Sequence, residues 1–243
     1  MADRPLTDVP VLILGESHST AISRAIDASG ETGFIAIDVR KDSDDSKINF
    51  DLFNCYRPEH LVLAFGGTEH NIVGMMEGEP KFDFLWPPYE DFDADRTFMT
   101  ASAIEELLHH RMQSGVKRAL RAAAGFDCPL YAVAPPPPFL EIDDQTAFPR
   151  AFSAVLEAGI APAPIRRKIY AMQCEMMKAL YAEHGIRFLG APPKAFDEDG
   201  FLQRSLWGRE PTHGNRRYGQ VLIAYLKRKL GLDAGVAGKK ADA

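Results

Sequence analysis

Three side-chain types in this sequence could together carry out acyl transfer: a hydroxyl, an imidazole and a carboxylate. Ser17 lies in Gly15-Glu16-Ser17-His18-Ser19, and Glu210-Pro211-Thr212-His213 supplies the other two groups near the far end of the chain. A serine hydroxyl is a weak nucleophile at neutral pH. It attacks a carbonyl only when an adjacent base, usually histidine, takes its proton and a carboxylate holds that histidine in one tautomer. The spacing in Glu210-Pro211-Thr212-His213 lets the carboxylate fold back toward Nδ1 of His213 while Nε2 faces the serine. Each residue taken singly has a plainer use. Ser17 or Ser19 could cap a helix, His213 could be an ordinary loop residue, and Glu210 could favour the positive end of a helix. Their joint occurrence, in this order, is what points to chemistry.

The groups must be held by elements that bring distant parts of the chain together. Residues 9–14 form a continuous apolar run ended by Gly15, which suits a strand buried on both faces. Residues 18–29 place Ala21, Ile22, Ala25 and Ile26 at helical spacing before Gly30, so Ser17 falls at a strand-to-helix turn. Further strands are expected over 34–39, 60–65, 129–134 and 186–189, with helices over 101–124, 165–180 and 218–230. Gly66-Gly67 stops the third strand and permits positive φ, and Pro135–Pro138 stops the fourth. Strands alternating with helices predict an α/β fold with a parallel sheet covered on both faces. Ligands of such sheets bind at the carboxyl ends of the strands. Ser17, Gly66–Asn71 and Glu210–His213 all fall on that rim.

One domain is expected over residues 1–231, with an aromatic-rich insert at about 72–100 and a polar tail over 232–243. The insert holds Phe82, Phe84, Trp86, Tyr89, Phe92 and Phe98 without a steady period, and is read as a lid or pocket wall, or as a loop packed on itself. A loop over 40–47 and a short helix near 149–157 complete the outline. The net charge of −6 argues against a nucleic-acid partner, and no apolar run reaches the length of a membrane span. A cytoplasmic location is expected, since no signal-peptide pattern opens the chain. The three cysteines, Cys55, Cys128 and Cys174, lack metal or redox spacing and are expected to be reduced. His18, Glu69, His70 and His213 lack the spacing of a known metal motif, so no metal or other cofactor is expected.

With these blocks in place, the chain resembles the SGNH, or GDSL-type, hydrolase family over nearly its whole length. Gly15-Glu16-Ser17 is similar to the G-D-S block, Gly66-Gly67-Thr68-Glu69 to the G-x-N-D block, and Glu210-Pro211-Thr212-His213 to the D-x-x-H block. The resemblance implies a three-layer α/β/α, flavodoxin-like fold with a five-stranded parallel sheet. It also implies a serine esterase acting on an acyl or acetyl ester of a small molecule, carbohydrate or lipid, with Ser17 as nucleophile, His213 as base and Glu210 as its orienter. A non-catalytic binding module of the same fold and an acyltransferase using the same serine are the alternatives. The family's oxyanion asparagine falls on Thr68; the amide of Asn71, three residues on, is the preferred donor if the loop turns after Gly67. The family's backbone donor after the second strand falls in Asp38-Val39-Arg40-Lys41-Asp42, which has no glycine.

Overall fold

The structure, a computed structural model, describes residues 5–41, 48–142, 146–148, 152 and 156–232. In chain order the elements are β1 (Thr7–Gly15), α1 (Ser19–Ser29), β2 (Phe34–Asp38), β3 (Tyr56–Ala64), α2 (Glu69–Gly74), β4 (Phe82–Asp83), β5 (Thr97–Phe98), α3 (Ala101–Ala123), β6 (Leu130–Ala132), α4 (Ala163–Ala182), β7 (Arg187–Phe188) and α5 (Arg216–Leu230). The main sheet has the order β2-β1-β3-β6-β7 and every pairing in it is parallel. This is the expected flavodoxin-like order. Gly15 pairs with both Asp38 and Ala64, so β2, β1 and β3 end level with one another. The chain leaves β1 toward one edge and returns to continue toward the other, which places the end of β1 at the topological switch point.

Two apolar layers sandwich the sheet, and the side-chain alternation of β1 assigns residues to each. Leu12 and Leu14, with Leu61 and Leu63 of β3, pack beneath Ile104 and Leu108 of α3 and Ile169 and Met172 of α4. Val11 and Ile13, with Val62, pack beneath Ile22 and Ala25 of α1 and Leu222 and Leu226 of α5. Residues Val11 to Leu14 are completely inaccessible. α1 and α5 approach closely because Gly219 carries no side chain: a Cβ there would lie 2.2 Å from the carbonyl oxygen of Ala21.

β3 begins at Tyr56, four residues before the expected start, and its first half alternates between exposed and half-buried residues. That stretch is covered on one face only, so it lacks the apolar run that marks the buried half. β6 and β7 are shorter than expected. α2, with sequence EHNIVG, has no apolar period and was not foreseen. It is held by tertiary contacts: Gln173 of α4 accepts the His70 N–H, and Gly74 lies where a Cβ would be 2.4 Å from Ile169. The insert is tied down rather than loose. β4 and β5 pair, Phe84 is fully buried in the core, and the ammonium of Lys168, itself inaccessible, donates to Asp83 and to the carbonyl oxygens of Phe84 and Asp91. Arg96 pairs with Glu77 across the base of the insert.

Within the expected loop over 40–47, residues 42–47 lie outside the described residues, as do much of the expected helix near 149–157 and the tail from 233 onward. Among the described residues no helix is long and apolar enough to cross a membrane, and no group of three or more His, Cys, Asp or Glu side chains could hold a metal ion. The three cysteines are free, and burial pushes the Cys174 thiol up to about 12.

Candidate active site

The turn that carries Ser17 is fixed from both sides. Gly15 is required at its base, because a Cβ there would sit 2.5 Å from the Ala64 carbonyl oxygen. The Glu16 N–H then donates to that same oxygen at 3.1 Å. The Glu16 carboxylate reaches outward, accepting the Gly66 N–H at 3.1 Å and pairing with Arg118 of α3 at 2.8 Å. Ser19 Oγ donates to the Glu16 carbonyl oxygen at 2.6 Å. α1 starts at Ser19 with His18 in the cap position and without any side-chain capping bond. Ser17 is therefore not used as a helix cap.

His213 reaches the same turn from the other end of the chain. Asn215 anchors its loop: Asn215 Oδ1 accepts the N–H groups of Arg217 and Tyr218, capping α5, while Asn215 Nδ2 donates to Ser205. The loop folds tightly on itself, with the Gly208 N–H donating to the His213 carbonyl oxygen at 2.8 Å. A Cβ at Gly208 would lie 2.3 Å from that oxygen. Ser17, Glu210 and His213 thereby line one cavity of about 310 Å³, together with His18, Tyr218 and the start of α5.

Within the cavity, His213 Nδ1 is 2.8 Å from Thr212 Oγ1 and 3.6 Å from Glu210 Oε2, so the hydroxyl is the nearer partner and the carboxylate stands just beyond hydrogen-bond range. An Nδ1–H donating to Thr212 leaves the lone pair on Nε2, which is buried and has no partner. The Ser17 hydroxyl accordingly makes no hydrogen bond to it. Burial lowers the His213 pKa below that of an ordinary histidine; Glu210 opposes this and Arg40 adds to it. The imidazole is thus neutral, the form a general base requires.

Two further histidines, His18 and His70, stand close to the turn. The His18 ring centroid is 5.1 Å from that of His213 and both of its nitrogens are buried without a partner. Burial chiefly, then the neighbouring His213, His70 and Arg40, lower its pKa to about 3. His70 Nδ1 donates to the Gly67 carbonyl oxygen at 2.8 Å, and burial brings its pKa to about 4 against the opposing bonds from Gly67 and Gln173. The adjacency of His18 to Ser17 was the available signal for its proximity to His213.

The oxyanion candidates are placed differently. Gly66 and Gly67 have the expected positive φ, at 62° and 94°. The Gly67 N–H, however, donates to the buried Glu69 carboxylate at 2.7 Å and is not free. Thr68 is the cap residue of α2 and its hydroxyl makes no capping bond; Asn71, in the first turn of that helix, is buried. Gly67, Thr68 and Asn71 do not line the Ser17 cavity. After β2, the Val39 N–H donates to Gly15, and those of Arg40 and Lys41 to Asp38. Among the described residues, the N–H groups of Ser17 and His18 have no acceptor.

The insert forms the wall of a second cavity, of about 790 Å³, where stacked Trp86 and Tyr89 face Arg167, Tyr170 and Phe196. Tyr170 stands between the two regions, its ring edge-on to His70 and its hydroxyl donating to Pro135.

Comparison with solved structures places this geometry on a known scaffold. A protein of Bacteroides fragilis NCTC 9343, assigned by inference as an acylhydrolase, superposes with a TM-score of 0.50 at 11% identity, over 95% of this chain and 91% of that one. The chain shares the α/β fold of that protein over nearly its whole length. A GDSL-like lipase of Bacteroides thetaiotaomicron VPI-5482 gives 0.47 at 13% identity, over 92% and 88% of the two chains. Phospholipase A1 of Streptomyces albidoflavus NA297 gives 0.43 at 13% identity, over 90% and 98%. No protein-family model and no curated protein matches the sequence. On this fold, Ser17 occupies the switch-point turn at the end of β1.

Proposed function

We propose that this chain is a serine esterase that hydrolyses an acyl ester through Ser17, His213 and Glu210. The observation that carries the reading is the convergence of these three residues on one cavity at the switch point, with His213 Nε2 buried and unpartnered. In this reading Ser17 Oγ bonds to the acyl carbon while its proton passes to Nε2. The ester C–O bond then breaks, and the departing alkoxide takes that proton as the alcohol. Water then gives a proton to the same nitrogen and bonds to the acyl carbon; the bond from that carbon to Oγ breaks, Oγ takes the proton back from Nε2, and the carboxylic acid leaves. Glu210 steadies the imidazolium, closing the 3.6 Å gap to Nδ1 as charge develops; such bonds are often loose without substrate and tighten during reaction. The N–H groups of Ser17 and His18, which have no acceptor among the described residues, serve as the oxyanion donors, in place of Thr68 and Asn71, which do not line the cavity. No cofactor takes part.

The test is turnover of a 4-nitrophenyl ester series by the native protein and by Ser17→Ala, with fluorophosphonate labelling as a second readout. Loss of turnover and of label in Ser17→Ala supports the assignment. Equal rates in the two proteins refute it. A non-catalytic binding module is the second reading, favoured by the commitment of the Gly67 and Val39 N–H groups to internal partners; it requires a folded native protein that takes no label.

A further inference from the structure

The chain carries a net charge of −6, yet the rim of the Ser17 cavity is cationic. Arg24 of α1, Arg209 beside Glu210 and Arg216 at the start of α5 all line it. None of the three makes an ion pair or a side-chain hydrogen bond with any described residue. All three are exposed, whereas the buried or half-buried arginines Arg96, Arg118 and Arg166 are taken up by Glu77, Glu16 and three carbonyl oxygens. Glu210 is the one acid on the cavity wall, and it stands beside His213.

The backbone adds to the same field. The N-termini of α1 and α5 both open onto the cavity, and neither helix has an acidic residue in its first turn. The first N–H groups of both helices are already taken, those of Ser19 and Thr20 by Glu16 and Ser17 and those of Arg217 and Tyr218 by Asn215, so the aligned helix dipoles are what favour an anion here. Guanidinium groups recognise oxyanions through two parallel hydrogen bonds. Three uncommitted guanidinium groups and two positive helix ends around one cavity, on an acidic protein, are complementary to a negative ligand.

We propose that the ester cleaved at Ser17 carries an oxyanion, a carboxylate or a phosphate, held by Arg24, Arg209 and Arg216. The inference rests on the esterase reading for the identity of the reacting bond, but the anion site itself does not. Orientation follows from it: with the anion fixed at the rim, the ester carbonyl is directed toward Ser17 and His213.

Matched pairs test this. One arm compares 4-nitrophenyl hydrogen adipate with 4-nitrophenyl hexanoate. The other compares an O-acetyl hexose 6-phosphate with the unphosphorylated O-acetyl hexose. Each pair is measured twice, as kcat/KM with the native protein and as binding to Ser17→Ala by calorimetry, so that affinity is read without turnover. The anionic member of at least one pair is expected to be preferred about tenfold or more, chiefly through KM, with the preference shrinking as salt is raised. The arm that shows it separates carboxylate from phosphate. In the triple variant Arg24→Gln, Arg209→Gln, Arg216→Gln the anionic-to-neutral ratio should fall toward one. Equal binding within both pairs, no binding of either anion, or a ratio that survives the triple substitution overturns the proposal. If the native protein cleaves both members equally, the anion site fails and the esterase stands. If Ser17→Ala prefers the anion while the native protein cleaves no ester, the esterase fails and the anion site stands.

Discussion

Lowering the pH from about 8 to about 5 should weaken the fold well before its carboxylates protonate, because His18 and His70 are buried as neutral rings. Their folded pKa values are about 3 and about 4, against about 6.5 for an exposed histidine. A folded pKa below the unfolded one means that the unfolded chain takes up protons first. Stability is therefore full above about pH 6.5, begins to fall as the pH drops through that value, and keeps falling until the folded rings themselves protonate. At about pH 5 each ring costs about 2 kcal/mol by this linkage, so the pair removes about 4 kcal/mol of a total that is commonly about 5–15. His213, lowered in the same direction, adds to the loss; Glu69, whose carboxyl is raised by burial, opposes it. Urea unfolding at the two pH values gives the difference directly. His18→Phe removes one titrating ring without breaking a hydrogen bond, since neither nitrogen has a partner, and should remove about half of the pH effect. A loss below about 1 kcal/mol in the native protein, or an unchanged pH slope in His18→Phe, would refute the view that these rings are held uncharged.

Other consequences are more local. Arg40→Gln should raise the His213 pKa and move the acid limb of a kcat/KM profile to higher pH, whereas Glu210→Gln should move it lower and also reduce kcat, because the two groups act on the imidazole with opposite sign. Asn215→Ala should cost about 1 kcal/mol through the lost α5 cap, measured by thermal unfolding, and should lower kcat by loosening the His213 loop. Asn215→Asp, which keeps the cap, should recover most of the stability. Gly219→Ala should destabilise the protein by about 1–3 kcal/mol, since its methyl group meets the Ala21 carbonyl oxygen with no room between α1 and α5.

The fold and the convergence of Ser17, His213 and Glu210 were legible because they follow from local rules. Short apolar runs, four of them ended by glycine or proline, marked the five strands, and helical periods marked the four long helices. Alternation of the two fixed a parallel sheet whose carboxyl rim gathers the loops. α2 was not legible, since it is stabilised by Gln173 and by contact with Ile169, far away in the chain. The first half of β3 was missed for the same kind of reason: it faces water on one side and carries no apolar run. The insert was expected to be a lid or pocket wall, or a loop packed on itself; Trp86 and Tyr89 of it line the cavity beside α4 and not the one beside Ser17. The oxyanion donors were the least readable feature. Whether an N–H is free depends on partners such as Glu69 for Gly67 and Gly15 for Val39, and that accounting exists only once the backbone is folded.

The ammonium of Lys168 ties the insert to α4. Its three acceptors, Asp83, Phe84 and Asp91, all belong to the insert, while the lysine itself sits in the helix that packs against the sheet. Without the insert, a lysine at that position would be left unpaired in an apolar layer. The two features therefore depend on each other and must be exchanged as a unit. Grafting this insert onto a related scaffold, or trimming it from this one, requires a matching change at position 168, with an apolar residue wherever the insert is absent.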